Sequence, residues 1–310
     1  MSKTAFIFPG QGAQYVGMTT DLLSCEQARS YFDRAGAILG YDLADLCVNG
    51  PEEKLNSTVF SQPAIFVVSA VLLESLRTTR PDIKPDITAG LSMGEYTAIY
   101  AAGLLGFEET LALVNNRGQS MQAAAESFEG SMVSILGLDE QKATELCREA
   151  SDGQLLEAVN FNCPGQIVIS GHKEACMRAV ELGPKYGAIK AIPLAVAGAF
   201  HTEKMSPAAE QLQKALDKAP IKNPDAIQVI ANISAEYYRS ADDIRDGLVK
   251  QLVRPILWEK CVRRLINDGV GSFYEIGPGR VLTGLLKRID RKANIVNISS
   301  LDGLGRLENN

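Results

Sequence analysis

Short apolar runs that end in glycine-rich loops alternate along this chain with longer helix-period stretches. Ala5-Phe6-Ile7-Phe8 is a continuous apolar run, the pattern of a strand buried on both faces of a parallel sheet. It ends in Pro9-Gly10-Gln11-Gly12-Ala13-Gln14. Residues 20–50 read as helical until Gly50-Pro51 breaks the chain, and residues 62–79 read as an apolar helix. Asp86-Ile87-Thr88-Ala89 reads as a second short buried strand. Residues 95–102 read as a mostly apolar helix, and helices continue to about Ser127, with Leu111, Val114 and Arg117-Gly118 near one face.

From Gly130 the order changes. Residues 132–136 read as a strand, 140–150 as a helix, 156–160 and 166–170 as two strands, 172–186 as a helix and 189–196 as a strand. That order, β-α-β-β-α-β, is the split βαβ of a ferredoxin-like unit. Alternation then resumes: helix 203–218, strand 228–231, helices 241–253 and 256–268, strand 272–276, and the turn Gly277-Pro278-Gly279 opening another helix. The polar tail 303–310 is expected to fray. The predicted fold is therefore α/β: a large α/β-hydrolase-like domain with a parallel sheet (residues 1–127 and 199–310) and a small inserted ferredoxin-like domain (128–198). In open parallel sheets ligands bind beyond the carboxyl ends of the strands. The Gln11 loop, the turn after residue 89 and the Gly277 turn all follow strands, so they are expected to share one rim.

Composition narrows the class. With 310 residues the chain exceeds what one hydrophobic core usually serves, which fits the two-domain division. A net charge of −6 argues against general nucleic-acid binding. The longest apolar run, Ala64 to Leu73, is too short to span a bilayer, and the N-terminus leads into a strand rather than a signal-peptide core. A cytoplasmic protein with no membrane partner is expected. Cys25, Cys47, Cys147, Cys163, Cys176 and Cys261 are scattered without a Cys-x-x-Cys, so neither a metal site nor a disulfide framework is expected.

Chemistry concentrates in Gly90-Leu91-Ser92-Met93-Gly94. A Gly-x-Ser-x-Gly between strand and helix is a nucleophile elbow. Its glycines allow a sharp turn and close backbone approach, and its serine sits at a helix N-terminus that favours developing negative charge. The bland alternative is a Gly/Ser turn that caps a helix. A serine hydroxyl needs a base. The chain has two histidines. His172 falls in the first turn of a small-domain helix, whereas His201, in Gly198-Ala199-Phe200-His201-Thr202, lies where the chain re-enters the large domain and can face the cleft. Oxyanion donors are expected from the Met93 backbone N–H, the residue after the serine, and from Gln11 on a neighbouring rim loop. No acidic third member is evident, and a backbone carbonyl can orient the imidazole, leaving a Ser–His dyad.

Six segments resemble one family in order and spacing: Phe8-Pro9-Gly10-Gln11-Gly12, Gly90-x-Ser92-x-Gly94-Glu95, Arg117-Gly118, Asn162-Cys163-Pro164-Gly165-Gln166, Phe200-His201-Thr202 and Glu275-Ile276-Gly277-Pro278-Gly279. Together they are similar to the malonyl-CoA:acyl-carrier-protein transacylases and the acyltransferase domains of fatty-acid and polyketide synthases. The resemblance covers nearly the whole chain. It implies ping-pong transfer of malonyl from malonyl-CoA to the 4'-phosphopantetheine thiol of an acyl carrier protein, through Ser92 with His201 as base. It implies no cofactor and a monomer. It places the carboxylate partner at Arg117, an orienting carbonyl at Gln251, Asn162 along the site, and Phe200 as a ring that crowds out branched acyl groups. The family's usual residue before the nucleophile is histidine; here it is Leu91, a departure that bears on acyl selectivity. The cluster Arg280, Lys287, Arg288, Arg291 and Lys292 is the candidate carrier-protein surface, or else a solvated helix face. The competing readings are a serine thioesterase or esterase on the same scaffold, and a non-catalytic interaction module.

Overall fold

The structure, a computed structural model, describes residues 2–196 and 198–305. Nine strands are present among them: β1 (Lys3–Phe8), β2 (Ile87–Gly90), β3 (Gly130–Leu136), β4 (Leu156–Cys163), β5 (Gln166–His172), β6 (Lys190–Pro193), β7 (Gln228–Val229), β8 (Val270–Ile276) and β9 (Asn294–Ile298). They form two sheets. The first runs β7-β2-β1-β8-β9 with every pair parallel.

Strand alternation explains why this sheet is buried on both sides. Phe6 and Phe8 of β1 enter one core, with the apolar Thr58–Thr79 helix; Ala5 and Ile7 enter a second, with Trp258, Leu282 and Leu286. The Thr58–Thr79 helix starts four residues before the expected position. It is long and apolar enough to cross a membrane, yet 83% of its most apolar window is buried, packed by the helices Gly94–Ala101 and Phe107–Glu126. Its apolarity is that of a helix surrounded by protein.

The second sheet runs β4-β5-β3-β6 with antiparallel pairs, and the helices Glu140–Ser151 and Lys173–Tyr186 pack on it around Val133, Ile135 and Ile169. This is the ferredoxin-like unit that the pattern predicts.

The structure departs from the sequence reading in several places. Strands β6 and β7 are shorter than the predicted 189–196 and 228–231, and the 20–50 stretch is divided into Leu22–Ser24, Glu26–Leu39 and Leu43–Asn49. The C-terminal region holds two unpredicted elements. The pattern predicts no strand at β9, because Asn294-Ile295-Val296-Asn297-Ile298 is a short, polar-punctuated edge strand that pairs on one side only. The expected fraying from residue 303 is not seen at 303–305, which belong to a Leu301–Gly305 helix whose first N–H is held by Asp21; residues 306–310 lie outside the described residues.

Because β2, β1 and β8 are adjacent and parallel, the loops after them leave from one edge. The loops touch through glycines. A Cβ on Gly10 would lie 2.3 Å from the Leu91 carbonyl oxygen, and one on Gly277 would lie 2.7 Å from the Pro9 ring. Glu275 at the end of β8 accepts from the Leu282 and Thr283 N–H groups at 2.8 Å each. Its carboxylate thus anchors the start of the Val281–Ile289 helix rather than facing substrate.

Candidate active site

The elbow after β2 is tight enough to exclude side chains on both flanks. A Cβ on Gly90 would come 2.0 Å from the Gly94 carbonyl carbon, and one on Gly94 would come 2.2 Å from the Phe8 oxygen. Between them Ser92 is held at φ 52°, a left-handed conformation that costs a non-glycine residue energy and persists only when its surroundings enforce it. Asn232, which follows β7 on the same rim, provides the enforcement. Its Oδ1 accepts from the Ser92 N–H at 2.7 Å and its Nδ2 donates to the Gly90 carbonyl at 2.8 Å.

His201 meets this serine from the other side of the cleft. Its Nε2 lies 3.0 Å from Ser92 Oγ, and its Nδ1 lies 2.7 Å from the Gln251 backbone oxygen. A carbonyl only accepts, so Nδ1 carries the proton and Nε2 is free to accept from the serine hydroxyl. His201 also sits in the left-handed region, at φ 61°. Burial, reinforced by the positive charge of Arg117, presses its pKa down to about 4 against the opposing Gln251 carbonyl. At neutral pH the imidazole is therefore uncharged, the form that takes a proton. His172 is elsewhere: its Nδ1 accepts from the Leu155 N–H at 3.0 Å in the small sheet.

Arg117, on the Phe107–Glu126 helix, is almost fully buried. Its Nη1 donates to Gln62 Oε1 at 2.8 Å, and its Nη2 donates to Ser92 Oγ and to Gln251 Oε1, both at 3.0 Å. Its Nε–H has no partner among the described residues, nor does a carboxylate pair with it directly. A buried cation with spare donors at the floor of a cleft is a receptor for an anionic group.

The Gln251 side chain ties these groups together. While its oxygen accepts from Arg117, its Nε2 donates to the Ser92 carbonyl at 3.0 Å and to Glu95 Oε2 at 2.5 Å. Glu95 also accepts from the Tyr238 hydroxyl and from the Asn232 N–H. Burial raises the Glu95 pKa to about 7 despite those donors and the nearby Arg117.

These groups face a cavity of about 110 Å³ lined by Gln11, Leu91, Ser92, Arg117, Phe200 and His201 together with Met121, Met132 and Leu194. Larger surface clefts of about 870 and 560 Å³ hold no histidine. Met93 is fully buried at the start of the Gly94–Ala101 helix, and neither its N–H nor that of Gln11 has a backbone acceptor among the described residues. One expected position shifts. Asn160, not Asn162, lines the cavity; β4 slips register against β5 twice, between Ala158 and Asn160 and between Phe161 and Cys163, so simple alternation does not set the face these residues take.

The chain matches the acyl transferase domain family over residues 5–310. It is 42% identical over 301 residues to the malonyl CoA-acyl carrier protein transacylase of Bacillus subtilis (strain 168), covering 96% of this chain and 94% of that protein. The chain belongs to the acyl transferase domain family. A protein of the same name from Escherichia coli (strain K12) is 43% identical over 290 residues, 93% of each chain. Among solved structures, the acyl-carrier-protein S-malonyltransferase of Burkholderia pseudomallei 1710b has a TM-score of 0.95 at 37% identity, covering 99% of this chain and all of that one. A type II polyketide synthase acyl-carrier protein in complex with its malonyl-transacylase gives a TM-score of 0.95 at 40% identity over 100% of both chains.

Within this acyl transferase, sequence reasoning missed Gln62, Asn232, Tyr238 and the part played by Glu95. Two carried a faint signal. Gln62 is a polar residue inside an apolar helix, and Glu95 is an acid at the buried start of another. Tyr238 carried none.

Proposed function

We propose that this acyl transferase moves malonyl from malonyl-CoA to the phosphopantetheine thiol of an acyl carrier protein through a malonyl-Ser92 intermediate. The reading rests chiefly on one observation: a serine–histidine–carbonyl chain whose nucleophile also touches a buried arginine without a carboxylate partner. Ser92 Oγ attacks the thioester carbonyl while His201 Nε2 takes its proton, and the Gln251 carbonyl steadies the imidazolium that forms. The tetrahedral oxygen is received by the Gln11 and Met93 amide hydrogens. His201 returns the proton to the departing thiolate, and the carrier-protein thiol reverses the sequence. The malonyl carboxylate pairs with Arg117, and Phe200 bounds the acyl pocket. The cavity, about four liquid waters in volume, suits a short acyl group.

The two sheets support the division into residues 1–127 with 199–310 and residues 128–198, with the site between them. Six free thiols suit a cytoplasmic protein, and it would act there as a monomer. The carrier protein would approach the basic 280–292 segment. One member of that cluster also braces the small sheet against the large domain, since Arg288 binds Gln166 Oε1 at 3.1 Å and the Pro164 carbonyl at 3.0 Å.

The test is intact-mass analysis after incubation with malonyl-CoA. One malonyl group should appear on the Ser92 peptide, be absent in Ser92→Ala, and pass to added carrier protein. An adduct on a cysteine overturns the assignment. Loss of the adduct to water as fast as to carrier protein indicates a thioesterase instead.

A further inference from the structure

Arg117 is reached by two carboxylates from opposite sides. One is the malonyl carboxylate of the proposed reaction, which would arrive through the cavity that Arg117 lines. The other is Glu95, which is fully buried, lies behind Gln251 and does not line the cavity. Their separation is a single amide: Arg117 Nη2 donates to Gln251 Oε1 at 3.0 Å, and Gln251 Nε2 donates to Glu95 Oε2 at 2.5 Å. The amide can point only one way. Reversed, its NH₂ would face the guanidinium donors and its oxygen the carboxylate. Glu95 is thus the counter-charge of Arg117, passed through an amide so that the guanidinium keeps donors for substrate.

This arrangement balances charge only while the cavity holds no anion. With Glu95 ionised and Arg117 charged, the buried cluster is neutral; a malonyl carboxylate makes it negative by one. Glu95 and Gln251 are buried away from the cavity, so the excess charge is costly, and a proton on Glu95 relieves it. We propose, building on the malonyl reading above, that Glu95 takes up a proton when the malonyl group enters and releases it when malonyl leaves, making it a charge-balancing residue specific to acidic acyl groups.

The surroundings single out Glu95 as the proton's destination. Facing it are Arg117, Tyr96, Tyr238 and Cys261, with His201 beyond Gln251. The two tyrosines and the thiol are already neutral, and burial drives their pKa values further up. His201 can also accept a proton, but burial holds it near 4, whereas burial holds Glu95 near 7. Pairing of Arg117 with substrate weakens its pull on Glu95 and raises the carboxyl further.

The proton count separates from the chemistry. Acylation forms the Ser92 Oγ–carbonyl bond and breaks the thioester C–S bond. The serine proton passes through His201 to the departing sulfur, so CoA leaves as its thiol and acylation itself exchanges no proton with solvent. The Glu95 proton comes from water and is additional.

The experiment loads molar amounts of the wild-type protein with malonyl-CoA or acetyl-CoA at about pH 7.5 in weak buffer with a pH indicator, and counts Ser92 adducts by mass. Malonyl loading should remove about half a proton or more per adduct, the linkage expected for a group moving from partly to fully protonated. Acetyl loading should remove none, and Glu95→Gln should load malonyl without uptake. If Glu95→Gln does not fold, infrared difference spectra of the wild type decide: a protonated buried carboxyl band should appear on malonylation and not on acetylation. Malonyl adducts without proton uptake, or uptake that persists in Glu95→Gln, overturn this inference and leave the transfer reading standing. Absence of any Ser92 adduct overturns the transfer reading itself.

Discussion

The Arg117 guanidinium donates to the Ser92 hydroxyl at 3.0 Å, so the residue assigned to the substrate carboxylate also touches the nucleophile. Selectivity and reactivity therefore meet at one cation. A malonyl carboxylate must leave water to reach it, and removing one partner of a buried ion pair typically costs ~3–5 kcal/mol, or roughly two to four orders of magnitude. Arg117→Ala should lower kcat/KM for malonyl-CoA by about that factor while acetyl-CoA falls much less or rises. Arg117→Lys should recover only part of the malonyl rate, since an ammonium lacks the planar fork. Equal losses for both substrates would make Arg117 a structural residue.

His201→Ala should slow acylation by roughly two to four orders of magnitude, the range for a positioned general base. His172→Ala should change little, because its ring serves the small sheet. Since burial keeps the His201 imidazole neutral down to about pH 4, malonyl loading should not collapse between pH 7 and pH 5 on its account. A pH–rate profile measured with both variants checks the ranking and the position of the acid limb.

Stability should depend on pH in two opposing ways. The Glu95 carboxyl is raised to about 7, so the folded state holds a proton there that the unfolded state has lost, and its contribution fades as pH rises from about 4.5 through 7. The His201 imidazole is lowered to about 4, so its contribution is full above about 6.5 and fades as pH falls toward 4. Glu95→Gln removes the first slope alone. Urea unfolding across this range should show the variant gaining on the wild type as pH rises. A constant difference would mean that Glu95 titrates alike in both states.

Charge reversal at Arg291 and Lys292 should raise the KM for carrier protein and leave loading from malonyl-CoA intact, most clearly at low salt. Arg288→Glu should additionally lower Tm, because it breaks contacts with the 164–166 turn. Unchanged carrier-protein kinetics in the Arg291 and Lys292 variants would place the docking surface elsewhere.

Much of this was legible in the sequence, for a local reason. Apolar runs, helix periods and glycine punctuation are properties of neighbours in the chain. They marked β1, β2, β8 and the ferredoxin-like unit, and they set Ser92 on a turn before a helix. With only two histidines, the choice of base reduced to which one returns to the cleft. Strand β9 escaped because Asn294 and Asn297 break its apolar residues into pieces too short to read as a run.

Tertiary structure alone decided what surrounds the serine. Gln251 is 159 positions from Ser92 and Asn232 is 140; the pairing of β7 beside β2 brings Asn232 to the elbow, and the end of the Ala241–Gln251 helix brings Gln251. Asn160 rather than Asn162 lines the cavity, on a strand β4 that slips register on either side of Asn160 and Phe161, which no periodicity records. The Glu275 carboxylate lies in a segment that signals the family, yet it anchors a helix. A buried polar side chain owes its place to partners from far along the chain. Its sequence neighbours carry no trace of them, because a hydrogen bond constrains position in space and not separation in sequence.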